Sequence, residues 1–404
     1  MLNHRIAAFL LALTLALMGC TVPPKTPSAP TAAPAATAAP TDTPAPTDTP
    51  APQRLTAAVE SINKHGNVIL DTSFSEVNHA GMEVGDLIVV SVGERDFVMP
   101  IGTAYTDVDT GKMVCRFDLD DNRVMLGINM GSFAAESGMA EKQTAEEDPG
   151  YRWDIHATEV GLQLYEKEGY LIEFRARNLQ WTTAREDYPA LSEEEFANFR
   201  AVRVRGMREN VLYRSSTPLN PAIGRNAYVM AAMERTGIRT VINLADTAEE
   251  MRAFEAFSGS YYSGCAVINP EMSYDFASAE FGEKVRQSLV FLVEHDGPYL
   301  IHCKEGKDRT GMVCALLACF VGAPFADVAD DYMQTYRNFY GITPDDPTYA
   351  VILENNLVKT LCGLFQTDDL AAADLEACAT AYFRAIGITD AQLGALSERL
   401  RDEA

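Results

Sequence analysis

The stretch His302-Cys303-Lys304-Glu305-Gly306-Lys307-Asp308-Arg309-Thr310-Gly311 places five residues between a cysteine and an arginine, with a hydroxyl residue directly after the arginine. Before it, the Gly297-Pro298 break and Tyr299-Leu300-Ile301 read as the start of a short buried strand; after it, Met312 to Val321 is apolar enough for a core helix. An arc of that length between strand and helix lets successive amide N–H groups point inward, and the positive end of the helix adds to them. Such a nest holds an anion and favours a thiolate, so Cys303 is the expected nucleophile. Arg309 offers a planar fork that matches two phosphate oxygens. Thr310 can donate its hydroxyl to the sulfur as the sulfur leaves phosphorus. Lys304, Glu305, Gly306, Lys307 and Asp308 form the expected phosphate-binding wall, and Gly306 and Gly311 permit close backbone approach. Lys304 and Lys307 read either as rim cations suited to dianionic or multiply phosphorylated substrates, or as plain surface charge. A magnesium-nucleotide loop is excluded, because Asp308 follows Gly306-Lys307 where Ser or Thr would hold the metal. The alternative, a buried structural cysteine at Cys303, leaves the spacing a coincidence.

The elements that must hold this loop read as an α/β domain, with a central sheet flanked by helices. Beyond the catalytic helix, Phe325 to Tyr340 reads as a helix ended at Gly341, and Asp374 to Ile386 and Asp390 to Arg401 read as further helices. Upstream, Leu162, Leu164, Leu171, Ile172 and Phe174 alternate as strands and are expected to lead into the catalytic domain, taken as residues 148–404.

With the residues in view, His302-Cys303 through Arg309-Thr310-Gly311 resembles the signature of cysteine-dependent protein tyrosine phosphatases. The Gly306-Lys307-Asp308-Arg309 core is similar to the bacterial branch with tyrosine and phosphoinositide phosphatase members. Glu194 to Arg200, Leu212 to Ser216, Thr240 to Asp246 and Asp330 to Met333 resemble other stretches of that branch, over roughly the C-terminal 250 residues. The resemblance implies phosphomonoester hydrolysis through a phosphocysteine, with no metal and no cofactor, on a phosphorylated protein or, alternatively, a phosphoinositide or inositol phosphate. It also implies a carboxylic acid that protonates the leaving oxygen and then activates water. No Trp-Pro-Asp triplet is present; Asp275 is the first candidate, with helix capping as its competing role, and Asp308, Glu271 and Asp246 are the others. His302 is expected to position the loop rather than to carry a proton. A reading of another class is a surface protein that recognises phosphate ligands without turnover.

The N-terminus reads as an address. His4-Arg5, an apolar run from Ile6 to Met18 and Leu17-Met18-Gly19-Cys20 resemble a bacterial lipoprotein signal over residues 1–20, with Cys20 acylated. Residues 21–53 are rich in Pro, Thr and Ala, and Thr21 to Pro52 holds 10 of the 20 prolines. Such a tract cannot bury a core, and about 30 residues reach on the order of 90 Å. The expectation is an enzyme tethered by lipid to the extracellular face of a bacterial membrane.

A net charge of -24 excludes a nucleic-acid partner and argues against unaided adhesion to anionic lipid. Besides Cys20 and Cys303, the cysteines at 115, 265, 314, 319, 362 and 378 read as core packing without metal-ligand spacing; Cys362 and Cys378 are a candidate disulfide.

Residues 54–147 read as a small antiparallel β domain, from runs such as Asp86 to Val92 and Lys112 to Phe117 between Gly and Asp turns. Gly102 to Val108 and Leu126 to Ala134 resemble the C-terminal β domain of S-adenosylmethionine hydroxide adenosyltransferases. That family also needs an N-terminal α/β domain, and nothing before Leu55 supplies it, so no adenosyl chemistry is carried over. Asn129 and Ser132 read as turn chemistry before adenine recognition.

Overall fold

The computed structural model describes residues 54–143 and 151–402. The leader, Cys20 and the Pro/Thr/Ala tract lie outside the described residues.

The first folded part is mainly β, with two short helices at Phe74–His79 and Phe133–Glu136. Strands β1 (Leu55–Ile62), β2 (Val68–Leu70), β3 (Leu87–Val92), β4 (Arg95–Gly102), β5 (Met113–Asp118) and β6 (Arg123–Ile128) are followed by a two-stranded ribbon, β7 (Ala140–Gln143) and β8 (Arg152–Ile155), and then by β9 (Glu159–Glu166). Seven of these strands close a barrel in the order β1-β2-β6-β5-β4-β3-β9. The closure follows the sequence pattern, since Ile88, Val90 and Val92 of β3 point inward while Leu87, Val89 and Ser91 stay half-exposed. Val92 faces Arg95 across a two-residue hairpin in which Gly93 takes a φ of 59°. One pair departs from the expected antiparallel pattern: β4 runs parallel to β5 at Ile101 and Gly102.

Two expectations are corrected here. Strand β9 lies beyond the boundary placed at residue 147, yet it pairs with both β1 and β3 and seals the barrel, because each of those edges carries backbone groups that need partners. Leu171, Ile172 and Phe174, read as strand residues, lie in helix α1 (Leu171–Arg177). The helix packs so closely on Gly85, φ 94°, that a Cβ there would stand 2.8 Å from Leu171 Cδ1. Helix α1 also faces a helix of the catalytic part, so it bridges the two.

The catalytic part is built on a five-stranded sheet of β10 (Arg200–Ala201), β11 (Leu212–Ser215), β12 (Thr240–Asn243), β13 (Ala266–Ile268) and β14 (Tyr299–His302), in the order β10-β11-β14-β12-β13. Only β10 is antiparallel to its neighbour. Every residue of β11, β12 and β14 is buried, as a parallel sheet covered on both faces requires. Ser215, His302 and Asn243 stand side by side at the carboxyl ends of these strands. Its helices include α2 (Asn226–Thr236), α3 (Ala279–Glu294), α4 (Asp308–Phe320), α5 (Phe325–Tyr340), α6 (Thr348–Ile352), α7 (Leu375–Ala385) and α8 (Asp390–Leu400). In α4 every residue from Arg309 to Phe320 is buried, so this helix is the core expected from its apolar run.

The connector between the two parts is latched by an aromatic box. Arg225 is fully buried, and its guanidinium carbon lies 3.6 Å from the Phe339 ring centre, 4.4 Å from Phe196, 4.9 Å from Tyr188 and 5.9 Å from Trp181. Tyr188 and Trp181 belong to the connector. Burial pushes the arginine down to about 10, against the pull of Tyr188. The seven described cysteines are free, and Cys362 and Cys378 are therefore not bridged.

Candidate active site

Cys303 follows the central strand β14 directly and is 3% exposed. The loop behind it is held from outside by its carbonyls. The Lys304 carbonyl accepts from the Thr217 amide at 3.0 Å, the Glu305 carbonyl from Asn198 Nδ2 at 3.0 Å, and the Gly306 carbonyl from Arg214 Nη2 at 2.8 Å. With three successive carbonyls turned outward, the peptide N–H groups are turned inward, and the amides of Lys304, Glu305, Gly306 and Lys307 meet no acceptor among the described residues. Successive amides of this kind can hold an anion. Gly306 makes the arc possible: it sits at φ 70°, and a Cβ would approach the Ser215 carbonyl oxygen to 2.2 Å.

Arg214 supports the nest from beneath. It is completely buried and pairs with Asp331 Oδ2 at 2.6 Å, while Arg200 Nε reaches Asp331 Oδ1 at 3.3 Å. Burial alone would raise the Asp331 carboxyl, but Arg214 and then Arg200 hold it below its ordinary range. Spacing and motif assign no task to Arg214 or Asp331. No local pattern marks Arg214, because the strand reads Leu-Tyr-Arg-Ser and only its place inside the sheet buries the arginine, which then needs a partner.

Arg309 comes from the first turn of α4 and is 8% exposed. Its Nη1 donates to the carbonyls of Leu244 at 3.1 Å and Met272 at 3.2 Å, and its Nη2 donates to the Tyr274 hydroxyl at 3.0 Å. Its Nε is buried without any partner, and so is the hydroxyl of Thr310. Two buried donors beside Cys303 thus have nothing to bond, which a phosphate and a departing sulfur would supply. Cys303 directly follows β14, and Arg309 and Thr310 open α4 at the other end of the same loop.

His302 lies under the nest, fully buried, with Nε2 3.0 Å from the Tyr262 hydroxyl. Burial pushes its ring down to about 3, and the Arg309 charge acts in the same direction. The ring is therefore neutral near pH 7, with Nε2 at the Tyr262 hydroxyl and Nδ1 3.4 Å from the Cys303 carbonyl.

The two lysines part company. Lys304 is exposed and its ammonium has no partner among the described residues. Lys307 turns inward, 3.2 Å from Glu305 Oε2, 3.0 Å from the Tyr340 hydroxyl and 3.8 Å from Asp308 Oδ2. Burial disfavours its charge, but Asp308, Tyr340 and Glu305 together hold its pKa above the ordinary lysine value. Lys307 therefore braces the loop and is not a free rim cation.

The proton-transfer candidates also separate. Asp275 is exposed, its carboxylate meets no donor among the described residues, and its carbonyl rather than its side chain binds Ser278, the residue that caps α3. Glu271 is exposed at φ 56°. Asp246 is half-buried, and burial raises its carboxyl despite the Asn243 amide that donates to it at 3.1 Å. Asp308 is half-buried at the start of α4, and burial raises its carboxyl against the opposing Lys307 charge. A carboxyl raised by burial stays protonated closer to neutrality, which is what an acid needs.

No group of three or more His, Cys, Asp or Glu with metal-binding geometry occurs among the described residues. A comparison with curated proteins gives no match. Among solved structures, TpbA of P. aeruginosa is 20% identical over 43% of this chain and 87% of its own, with a TM-score of 0.27. The core catalytic domain of a PP-IP phosphatase from S. cerevisiae is 17% identical over 40% and 94%, with a TM-score of 0.25. An uncharacterized conserved protein from Thermotoga maritima is 19% identical over 27% of this chain, which spans 35% of that protein, with a TM-score of 0.22. The model of the tyrosine phosphatase family matches residues 194–402, just over half of the 404 positions. That range contains the loop, the arginines beneath it and every carboxyl considered for proton transfer, and the chain belongs to the tyrosine phosphatase family.

Proposed function

We propose that this cysteine-dependent phosphatase acts on phosphotyrosine in proteins, with Cys303 as nucleophile and Asp308 as acid and base. The observation that carries the reading is the set of inward amides from Lys304 to Lys307 together with the unpartnered Arg309 Nε and Thr310 hydroxyl around Cys303. In the first step, the sulfur of Cys303 forms a bond to phosphorus as the bond to the leaving oxygen breaks, and Asp308 gives that oxygen a proton. Arg309 and the amides hold the three remaining oxygens while charge shifts among them. In the second step, Asp308 takes a proton from water, the water oxygen bonds to phosphorus, and the sulfur leaves as a thiolate that accepts a hydrogen bond from Thr310. Asp308 is preferred to Asp275, the first candidate from sequence, because burial raises the Asp308 carboxyl while Asp275 lies open to solvent. Asp246 is the other carboxyl with this property.

The second reading, inositol phosphate or phosphoinositide hydrolysis, is favoured by the free ammonium of Lys304 at the rim and loses the support of Lys307. A phosphotyrosine peptide, a phosphoserine peptide and an inositol polyphosphate assayed at equal concentration separate the two, and faster release from the inositol compound overturns the first. In the same assay Cys303→Ser abolishes release and keeps phosphate binding. Asp308→Asn slows esters with poor leaving groups by about 10²-fold or more, and a larger loss in Asp275→Asn returns the acid role to that residue. Absence of turnover on every phosphomonoester would leave the recognition-protein reading.

The location belongs to the proposal as well. Leu17-Met18-Gly19-Cys20 and the tract that follows support acylation at Cys20 and a tethered enzyme on the extracellular face of the membrane. For the barrel, a spacing or binding role is preferred to adenosyl chemistry. The Asn129 amide donates to the Val108 carbonyl at 2.8 Å, and Ser132 caps a short helix, so both side chains are used locally.

A further inference from the structure

Arg309 must present one edge of its guanidinium to phosphate, and what aims that edge is a loop no motif marks. The end of the guanidinium away from Nε is held by three acceptors: the carbonyls of Leu244 and Met272 on Nη1, and the Tyr274 hydroxyl on Nη2. Two of the three come from the segment after β13, where Pro270, Glu271, Met272, Ser273 and Tyr274 run in sequence. The Met272 amide donates to the Leu244 carbonyl at 3.2 Å, so the two carbonyl anchors are themselves tied together. Glu271 reverses the chain at φ 56°, bringing Met272 into the core at 3% exposure and leaving Tyr274 at the surface at 61%. The Tyr274 ring lies with its centre 4.6 Å from the Arg309 guanidinium carbon. In the described residues beyond 170, no other large hydrophobic side chain is exposed to this degree. An exposed ring that keeps a hydrogen bond to a buried arginine has a task other than filling a core.

We infer that Tyr274 is a positioning residue for phosphate binding. Its hydroxyl completes the clasp on Arg309 and leaves Nε, the one guanidinium nitrogen without a partner, for phosphate. The inference rests on the phosphatase reading of the same site. The clasp exists before substrate arrives, so it contributes to the bound substrate and to the transition state alike. Its loss therefore raises KM more than it lowers kcat.

The test is Tyr274→Phe, which keeps the ring and removes only the hydroxyl. With an aryl phosphate as substrate and inorganic phosphate as competitive inhibitor, KM and the inhibition constant should rise together by about fivefold, the effect of one lost hydrogen bond to a charged group at a half-exposed site. The change in kcat should be less than about twofold. Phosphate binding to Cys303→Ser, measured by calorimetry with and without Tyr274→Phe, should weaken by the same factor. In an Arg309→Lys background Tyr274→Phe should change phosphate binding no further, since the ammonium has no second edge to aim. An unchanged or tightened phosphate constant in Tyr274→Phe overturns the inference, and so does a loss confined to kcat. If the parent enzyme releases no phosphate at all, it is the phosphatase reading that falls, and the two failures are distinguished by that control.

Discussion

Asp107 in the barrel and Arg309 beside Cys303 are both charged and buried, at 2% and 8% exposure, but their surroundings are opposite in kind. The Asp107 carboxylate accepts from the Thr103 amide at 2.6 Å, the Thr103 hydroxyl at 3.3 Å, the Ala104 amide at 2.9 Å and Asn178 Nδ2 at 3.0 Å. Arg309 keeps one buried N–H empty, and its neighbour Thr310 keeps an empty hydroxyl. Among the described residues every buried side-chain donor or acceptor without a partner lies in the catalytic part, on Arg214, Arg225, Arg309, Thr310 and Arg401. Arg214 and Arg401 are paired through their other nitrogens with Asp331 and Glu376, and Arg225 rests among aromatic rings. Arg309 and Thr310 alone among these directly follow the loop whose amides are also unfilled. A buried polar group that is saturated holds a fold together, whereas one left open is kept for something that arrives from solution.

The sharpest way to break that contrast is Thr310→Val. If the hydroxyl serves the departing sulfur, kcat falls by about tenfold, the value of one hydrogen bond made in the transition state. Stability should not fall with it and should rise by up to about 1 kcal/mol, because an unsatisfied buried hydroxyl has been removed. A drop in urea stability with kcat intact would place Thr310 with the structural groups. The barrel gives the mirror image. Asp107→Asn swaps one acceptor oxygen for a donor that must face either the Thr103 and Ala104 amides or Asn178 Nδ2, and should cost about 1–3 kcal/mol in urea unfolding while leaving kcat per folded molecule unchanged. A change in kcat there would show the barrel to be coupled to the chemistry.

The third test uses pH. His302 titrates at about 3 in the folded state and near its ordinary value of about 6.5 when unfolded, so between those values the unfolded chain binds a proton that the folded one refuses. Its contribution to stability is complete above pH ~6.5 and is lost as pH falls towards 3, by at most about 1.4 kcal/mol per unit. Thermal melts of His302→Gln should show a flatter slope in that window, and an unaltered slope would assign the acid sensitivity to other groups.

How much of this could be read from the chain alone depends on whether a residue's task is local. The nest, Cys303, Arg309 and Thr310 are contiguous, so spacing alone displayed them, and the α/β frame followed from the strand before and the helix after. Arg214, Asn198, Asp331 and Tyr274 bond partners 35 or more residues away in sequence, and their tasks exist only once the fold has brought those partners together. The same limit explains Lys307. As a lysine in a polar loop it looked like a free cation, and only the arrival of Tyr340 from α5 turned it inward. The proposed acid is the least legible, because what distinguishes Asp308 and Asp246 from Asp275 is burial, which no local pattern encodes.

The last strand of the barrel has a practical consequence for anyone dissecting the protein. A truncation ending at residue 147 would omit β9 and leave β1 and β3 as two raw edges, with unpaired N–H and C=O rows that invite chains to stack on one another. Cutting after Glu166 keeps the seam stitched but severs the polypeptide just ahead of Tyr170, whose hydroxyl is bonded to the Asp107 carbonyl at 2.9 Å. A soluble fragment should therefore extend through Asn178, where the last side-chain tie to Asp107 is made.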